Sequence, residues 1–192
     1  MPKRKVPLIP GEYFHVFNRG INKEIVFRNH QNYIFFMKKI REFLIPEVAT
    51  IISYVLMPTH YHFLVKINSL NFPTVMGRFI LSYTKAFNQY WQRSGALFEG
   101  RFKSNWVDSD EYILTLSRYI HLNPVTANLV KTPSDWQYSN YLDLITYNKK
   151  WYSNSNIINS YFENVDPKLG YQHFVEDENF TDEPDFRHLL FD

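Results

Sequence analysis

The sequence of 192 residues contains no cysteine and no long hydrophobic run, and its formal net charge is only +2. The absence of cysteine excludes disulfide bonds and zinc–thiolate sites, so any metal ion must be bound by His, Asn, Gln, Asp, Glu or backbone oxygen. No stretch of about 18 apolar residues is present to cross a bilayer, and residues 1–10 lack the apolar segment of a signal peptide. We therefore expect a cytoplasmic protein with no membrane partner.

The small net charge conceals an uneven distribution along the chain. Residues 1–131 contain 17 Lys and Arg against 8 Asp and Glu, a net charge of +9, whereas residues 132–192 contain 4 against 11, a net charge of −7. Lysines scattered over a surface often serve only to solvate it. A basic excess of this size nevertheless makes the first two-thirds of the chain a candidate for binding a polyanion. The acidic end is predicted to be an extension, either partly disordered or folded back on the basic part.

The pattern of apolar residues predicts alternating strands and helices. Period-two alternation or β-branched content, typical of strands, occurs at residues 12–20, 48–57, 60–67 and 101–108. Helical spacing occurs at residues 30–45, 73–94 and 110–122. Pro58 and Thr59 favour a hairpin between the middle strands, and Pro124 predicts that the last helix ends near Leu122. The order β-α-β-β-α-β-α predicts an α+β fold with a mostly antiparallel sheet and packed helices.

Two histidines, His60 and His62, lie two residues apart in the third predicted strand. Residues i and i+2 of a strand point to the same face, so the two imidazoles are placed side by side. Imidazole binds several divalent metals, but two ligands are too few, and a third protein group is needed to complete such a site. An isolated H-x-H pair is also typical of a strand in which one histidine is buried and the other exposed.

A second polar pair lies near the end of the last predicted helix, in the segment SRYIHLNPV. Tyr119 and Asn123 are four residues apart, so a phenol and an amide project from one face of the helix. Tyr119 alone is more typical of a core aromatic, and Asn123 before a proline is more typical of a turn or cap. We expect His121 to face elsewhere and to pack or hydrogen-bond. His15 is left out of the ligand set because the sequence does not fix its strand register.

Five segments follow one another over about residues 10–141: YFHVFNRG, LMPTHYHFLV, GALFEGRFKS, YIHLNPV and DWQYSNY. In this order and spacing they resemble the REP-associated tyrosine transposases, a branch of the single-tyrosine HUH transposases. The HUH motif, two histidines flanking a usually hydrophobic residue, corresponds to His60, Tyr61 and His62, where the central tyrosine is a mild departure. The resemblance implies a ferredoxin-like HUH nuclease domain over residues 1–141, followed by an acidic C-terminal extension over residues 142–192.

The same resemblance implies an activity, which is metal-dependent cleavage and rejoining of single-stranded DNA through a 5′-phosphotyrosine intermediate. Carried over by position, Tyr119 is the implied nucleophile, and His60, His62 and Asn123 are the implied ligands of Mg²⁺ or Mn²⁺. No general base for Tyr119 is evident. The implied partner is single-stranded or hairpin DNA, such as a repetitive palindromic element. Shorter relatives dimerise and place the tyrosine helix in trans, whereas residues 142–192 favour a monomer.

Six basic residues, one before the two histidines in the sequence and five after them, are candidates for contacts with DNA phosphates. They are Arg19, Arg78, Lys85, Arg93, Arg101 and Lys103. The resemblance favours Arg101 and Lys103 among them, since the segment GRFKS recurs in this family close to the active site.

Two alternatives to a tyrosine transposase stay open at this point. The first is a domesticated DNA-binding module that keeps the fold without cleaving DNA, and intact histidines, Tyr119 and Asn123 argue against it. The second is a metal-dependent nuclease that hydrolyses DNA with water. A Tyr119→Phe variant separates the second alternative, because a hydrolytic nuclease would keep its cleavage activity.

Overall fold

The computed structural model describes residues 6–146, 156–162 and 166–177. In this part of the chain the strands are β1 (Tyr13–Arg19), β2 (Ala49–Met57), β3 (His60–Ile67) and β4 (Lys103–Val107). The α-helices are α1 (His30–Phe43), α2 (Phe72–Tyr90), α3 (Asp110–Thr126), α4 (Tyr141–Thr146), α5 (Asn156–Ser160) and α6 (Pro167–Glu176). Among these described helices, none has the length and apolar character that a membrane crossing requires.

The four strands form one sheet in the order β2-β3-β1-β4, and every neighbouring pair is antiparallel. Alternation along β3 places Tyr61 and Phe63 in one hydrophobic cluster with α1 and α2, and Leu64 in a second cluster with α3, α4 and α6. The sheet therefore lies between two helical layers. This arrangement confirms the predicted α+β fold, including the hairpin between β2 and β3.

The core beneath α1 and α2 is built mainly from aromatic rings. Phe36 of α1 is fully buried, and its ring centroid lies 4.8 Å from those of both Phe79 and Tyr83 of α2. The ring of Tyr61 lies 5.3 Å away on the sheet. This packing explains why the residue between the two histidines of β3 is a large aromatic residue: its side chain belongs to the core on the opposite face.

The third helix continues one turn further than predicted. We expected α3 to end near Leu122, but it continues through Pro124 to Thr126. A proline so close to the helix end removes only one intrahelical hydrogen bond. The final turn is closed by the backbone N–H groups of Ala127 and Leu129, which donate to the carbonyl oxygens of Asn123 and Pro124 at 3.0 and 2.9 Å. Asn123 is consequently inside a helix, with its side chain held in a defined direction.

The described part of the C-terminal region packs against α3. Tyr171 and Val175 of α6 are fully buried in the same hydrophobic cluster as Leu116 and Ile120 of α3. Residues 166–177 therefore share a core with the preceding residues. The prediction for the acidic end of the chain falls mainly on residues 178–192, which lie outside the described residues, and the boundary between residues 141 and 142 stays a prediction.

Candidate active site

The two histidines of β3 project from the sheet face that carries α3. His62 is fully buried and His60 partly so, and their ring centroids lie 5.0 Å apart at an interplanar angle of 86°. Thr59 holds His60 through its hydroxyl, with 2.9 Å between Oγ1 and Nδ1. Because Nδ1 is engaged by Thr59, the Nε2 atom of His60 is the nitrogen directed at the rest of the site.

Helix α3 brings the second polar pair to these histidines. Asn123 Oδ1 lies 3.3 Å from His60 Nε2, and the Tyr119 ring centroid lies 5.5 Å from that of His62 at an interplanar angle of 87°. The structure thus brings together all four residues that the sequence singled out, although nearly 60 positions separate the two pairs. A phenol, an amide oxygen and two imidazoles meet where β3 faces the last turns of α3.

These side chains form a donor set that suits a divalent metal ion. Two ligand atoms bound to one octahedral ion at about 2.1 Å lie about 3 Å from each other. The 3.3 Å between His60 Nε2 and Asn123 Oδ1 is close to that separation. His62 adds a second imidazole, and nitrogen and amide oxygen are both accepted by Mn²⁺ and related ions. The set leaves coordination positions for water and substrate, as catalytic metal sites require.

Burial keeps both histidines in the form that binds metals. It lowers the pKa of His60; the contact with Asn123 acts in the opposite direction, and Arg19 lowers the pKa further. Burial also lowers the pKa of His62 well below its usual range, and the neighbouring His15 and His60 add to this effect. Both rings are therefore neutral near pH 7, and the neutral imidazole is the metal-binding species.

A third histidine, which the sequence left unassigned, lies beside this pair. His15 on β1 is fully buried, and its Nε2 atom is 2.9 Å from Nδ1 of His62. The pairing places Phe17 opposite His62 and Leu64 opposite His15, so the two histidines are diagonal neighbours on one face. The signal for His15 was its place in a predicted strand, two residues before Phe17 and so on the same face, but only the register shows which β3 residues it meets.

Helix α6 anchors α3 through a buried polar network. The Tyr171 hydroxyl of α6 lies 2.6 Å from Ser117 Oγ and 2.7 Å from His121 Nδ1, and His121 Nε2 lies 3.0 Å from Asn140 Oδ1. Burial lowers the pKa of His121 to about 4, although Asn140 acts in the opposite direction. The prediction that His121 has a hydrogen-bonding role away from Tyr119 is confirmed. No motif in the sequence pointed to Tyr171.

Removing the Tyr171 hydroxyl is expected to destabilise the protein. Tyr171→Phe leaves Ser117 and His121 without one hydrogen-bond partner each in the buried network, so we expect the free energy of unfolding to fall by about 1–3 kcal/mol. Urea denaturation measures it. Tyr90→Phe is the matched control, because Tyr90 is 68% exposed and its substitution should change stability by less than about 0.5 kcal/mol. Equal stabilities of the two variants would contradict this role for Tyr171.

The six basic residues predicted to bind DNA lie in four places: the end of β1, helix α2, the segment after α2 and the edge of the sheet at β4. Arg19, at the end of β1, pairs with Glu99 at 2.9 Å, and Arg93 donates to Asn88 Oδ1 at 2.8 Å. Arg78 and Lys85 are exposed on α2, in the helical layer across the sheet from α3, so the structure does not bring them to the histidines.

Arg101, just before β4, and Lys103, its first residue, are exposed on the edge of the sheet. Lys103 lies opposite Phe17, which in turn lies opposite His62. Residues directly opposite in antiparallel strands share a face, so Lys103 is on the same face as His62, two strands away. Arg19 lies directly opposite His60 in the pairing of β1 with β3, so of the six candidates both Arg19 and Lys103 share the face of the histidine pair. Their roles in DNA binding stay predictions.

Comparisons with known proteins bear on the family and on the fold. A family model described as IS200-like transposase matches residues 11–123. Among solved structures, a REP-associated tyrosine transposase bound to a REP hairpin is similar to this chain, with a TM-score of 0.60 and 18% sequence identity. The similarity covers 82% of this chain and 93% of that one, which shows a shared fold. No curated protein matched the sequence.

Proposed function

The chain belongs to the IS200-like transposase family, and on that premise we propose that it cleaves and rejoins single-stranded DNA through a covalent bond to Tyr119. The observation that carries the proposal is the meeting of Tyr119 with two imidazoles and an amide, with the Tyr119 ring 5.5 Å from His62 and Asn123 Oδ1 3.3 Å from His60. Isolation of a DNA–protein adduct, with the attached peptide identified by mass spectrometry, tests the proposal.

In the proposed step, the Tyr119 hydroxyl oxygen attacks a phosphorus of the DNA backbone. The bond between this oxygen and phosphorus forms as the bond from phosphorus to the 3′ oxygen breaks, giving a 5′-phosphotyrosine and a free 3′-hydroxyl. Phenols in general ionise only at about pH 10, so the proton of the Tyr119 hydroxyl must leave to water or another acceptor during the attack, while the 3′ oxygen gains one. The number of phosphoester bonds does not change, so the reverse attack by a 3′-hydroxyl rejoins a strand.

The proposed cofactor is Mg²⁺ or Mn²⁺, held by His60, His62 and Asn123. When bound there, a divalent ion neutralises charge on a non-bridging phosphate oxygen and so lessens the repulsion of the nucleophile. The protein contributes by orientation: Thr59 holds one imidazole at 2.9 Å, and α3 carries both Asn123 and Tyr119. Because one rigid helix bears the amide and the phenol, the nucleophile is kept at a fixed distance from the ligand set.

We further propose that the substrate is a DNA hairpin with a short single-stranded flank, as in a REP-type element. The support is that the similar solved structure is described with a REP hairpin. Arg101 and Lys103 at the β4 edge supply positive charge for the phosphates of such a strand. Unpaired bases in the flank are accessible to side chains in a way that paired bases are not, which allows the sequence of the cleavage site to be read.

The basic pair at the β4 edge is expected to contribute to DNA affinity in a salt-dependent way. Replacing both Arg101 and Lys103 with alanine should weaken binding of a labelled hairpin and reduce the slope of log K against log salt concentration by about 1.4, since each phosphate contact to a single strand contributes about 0.7. Fluorescence anisotropy at several salt concentrations measures this slope. The double variant Arg78→Ala/Lys85→Ala on α2 is the matched comparison. An equal loss of hairpin affinity in this variant would contradict a DNA-binding surface centred on the histidines.

We also propose that the protein acts as a monomer, with Tyr119 serving the histidines of its own chain. Support comes from the attachment of α3: besides the Tyr171 network, Arg118 donates from Nε to the carbonyl oxygen of Phe174 at 3.0 Å and from Nη2 to that of Asp177 at 2.8 Å. These bonds tie the helix that carries Tyr119 to α6, and α3 packs on β2 of the same chain.

A complementation assay distinguishes this arrangement from one with exchanged helices. A mixture of Tyr119→Phe and His62→Ala proteins should remain inactive, because neither chain contains a complete site. In a dimer with exchanged helices, one mixed site would combine an intact Tyr119 with an intact His62. Recovery of a substantial fraction of wild-type cleavage in the mixture would contradict the monomeric site.

A further inference from the structure

His15 and His62 form a direct imidazole–imidazole contact within the buried face of the sheet. Their nitrogen atoms Nε2 and Nδ1 are 2.9 Å apart, and the two ring planes are inclined by only 21°. Both side chains are fully buried. A hydrogen bond between groups removed from solvent in this way has a fixed geometry, because neither ring can turn toward water without losing its partner.

The contact does not make His15 a third histidine ligand. Its Nε2 is directed at Nδ1 of His62. In the described ranges no group of three or more His, Cys, Asp and Glu side chains is arranged to hold a metal ion. Any influence of His15 on a bound metal must therefore act through the ring of His62.

The direction of this hydrogen bond decides whether His62 can bind a metal. A neutral imidazole carries one N–H and one nitrogen with a lone pair. If His62 donates from Nδ1 to Nε2 of His15, its own Nε2 keeps a lone pair for a cation. If His15 donates instead, the proton of His62 is on Nε2, and that nitrogen cannot act as a ligand. The two tautomers of the pair thus correspond to a competent and an incompetent site.

We propose that His15 is a positioning residue that accepts a hydrogen bond from Nδ1 of His62 and so holds the Nε2 lone pair of His62 toward the metal site. The inference rests on the proposed function of the histidine pair. It gives both metal-binding imidazoles the same kind of support, since Nδ1 of His60 is held by Thr59 and Nδ1 of His62 by His15. Such outer contacts fix the ring and tautomer of a ligating histidine.

Two substitutions of similar size separate hydrogen bonding from packing. Glutamine at position 15 retains an acceptor near the place of Nε2, whereas methionine fills a similar volume without one. The full-length protein is titrated with Mn²⁺, and the EPR signal of the unbound ion is measured at each step. The titration gives the dissociation constant for Mn²⁺. We expect His15→Met to raise it about 10- to 100-fold and His15→Gln to stay within about threefold of wild type. An unchanged constant in His15→Met would overturn the inference.

A measurement on the unaltered protein keeps the test independent of how the variants fold. Long-range ¹H–¹⁵N NMR correlations of the histidine rings identify which nitrogen carries the proton. The inference predicts the Nδ1–H form for both His62 and His15, and an Nε2–H form of His62 would overturn it. A wild-type protein that does not bind Mn²⁺ would instead overturn the proposed metal site, a result distinct from wild-type affinity in His15→Met.

Discussion

Tyr119→Phe is expected to abolish the covalent DNA adduct and to lower the rate of strand cleavage by at least about 10³-fold, because it removes the oxygen that we propose as the nucleophile. The phenylalanine ring keeps the edge contact with His62, whose centroid lies 5.5 Å away. We therefore expect the stability and the hairpin affinity of this variant to stay close to wild type. A denaturing gel of end-labelled hairpin DNA, incubated with protein and Mn²⁺, measures cleavage and adduct together.

The matched control is Tyr90→Phe, which makes the same chemical change on an exposed residue of α2. It should form the adduct at the wild-type rate. Cleavage that persists in Tyr119→Phe without an adduct would show that water is the nucleophile, and the protein would then be a hydrolytic nuclease. A covalent adduct appears on the gel as a slowly migrating DNA band that protease treatment removes, whereas hydrolysis by water gives the short cleavage product without that band.

The second large effect is expected from loss of the imidazoles. His60→Ala and His62→Ala should each lower cleavage by at least about 100-fold, since a bound divalent ion contributes several kcal/mol to the transition state and each 1.4 kcal/mol is a factor of ten. EDTA added to the wild type should have the same result, and added Mn²⁺ should reverse it. Hairpin binding should persist, because the proposed phosphate contacts are made by basic side chains and not by the two imidazoles.

His30→Ala is the control for these substitutions. His30 is exposed at the start of α1, in the helical layer across the sheet from α3 and the histidine pair, and its Nδ1 lies 3.0 Å from the Tyr138 oxygen. It should cleave as the wild type does. Full activity of either His60→Ala or His62→Ala, or of the wild type in EDTA, would contradict a metal site at the pair.

The local pattern of the sequence was sufficient to predict the strands, the hairpin between β2 and β3 and the placement of the two histidines on one face. The composition of residues 60–67 predicted a strand, and because residues two apart in a strand share a face, both imidazoles had to lie on one side. Pro58 with Thr59 predicted the turn before it. The spacing of Tyr119 and Asn123 likewise required a common helix face. These inferences needed only the geometry of a single strand or helix.

Features that depend on contacts between distant segments of the chain could not be predicted from the local sequence pattern. His15 meets His62 because of the register between β1 and β3, which no local pattern specifies. Tyr171 supports α3 from 50 or more positions away. The end of α3 was misplaced because the intrinsic tendency of proline was outweighed by the packing of Pro124, which is buried, and by the hydrogen bonds that close the last turn.

The most direct test of the account is to map the protein–DNA bond. Wild-type protein is incubated with a hairpin carrying a single-stranded flank and Mn²⁺, the adduct is digested with protease, and the DNA-linked peptide is sequenced by mass spectrometry. The account predicts one peptide that contains Tyr119 joined to a 5′-phosphate. Attachment at another residue, or tight binding of the hairpin with no adduct under any metal condition, would contradict it.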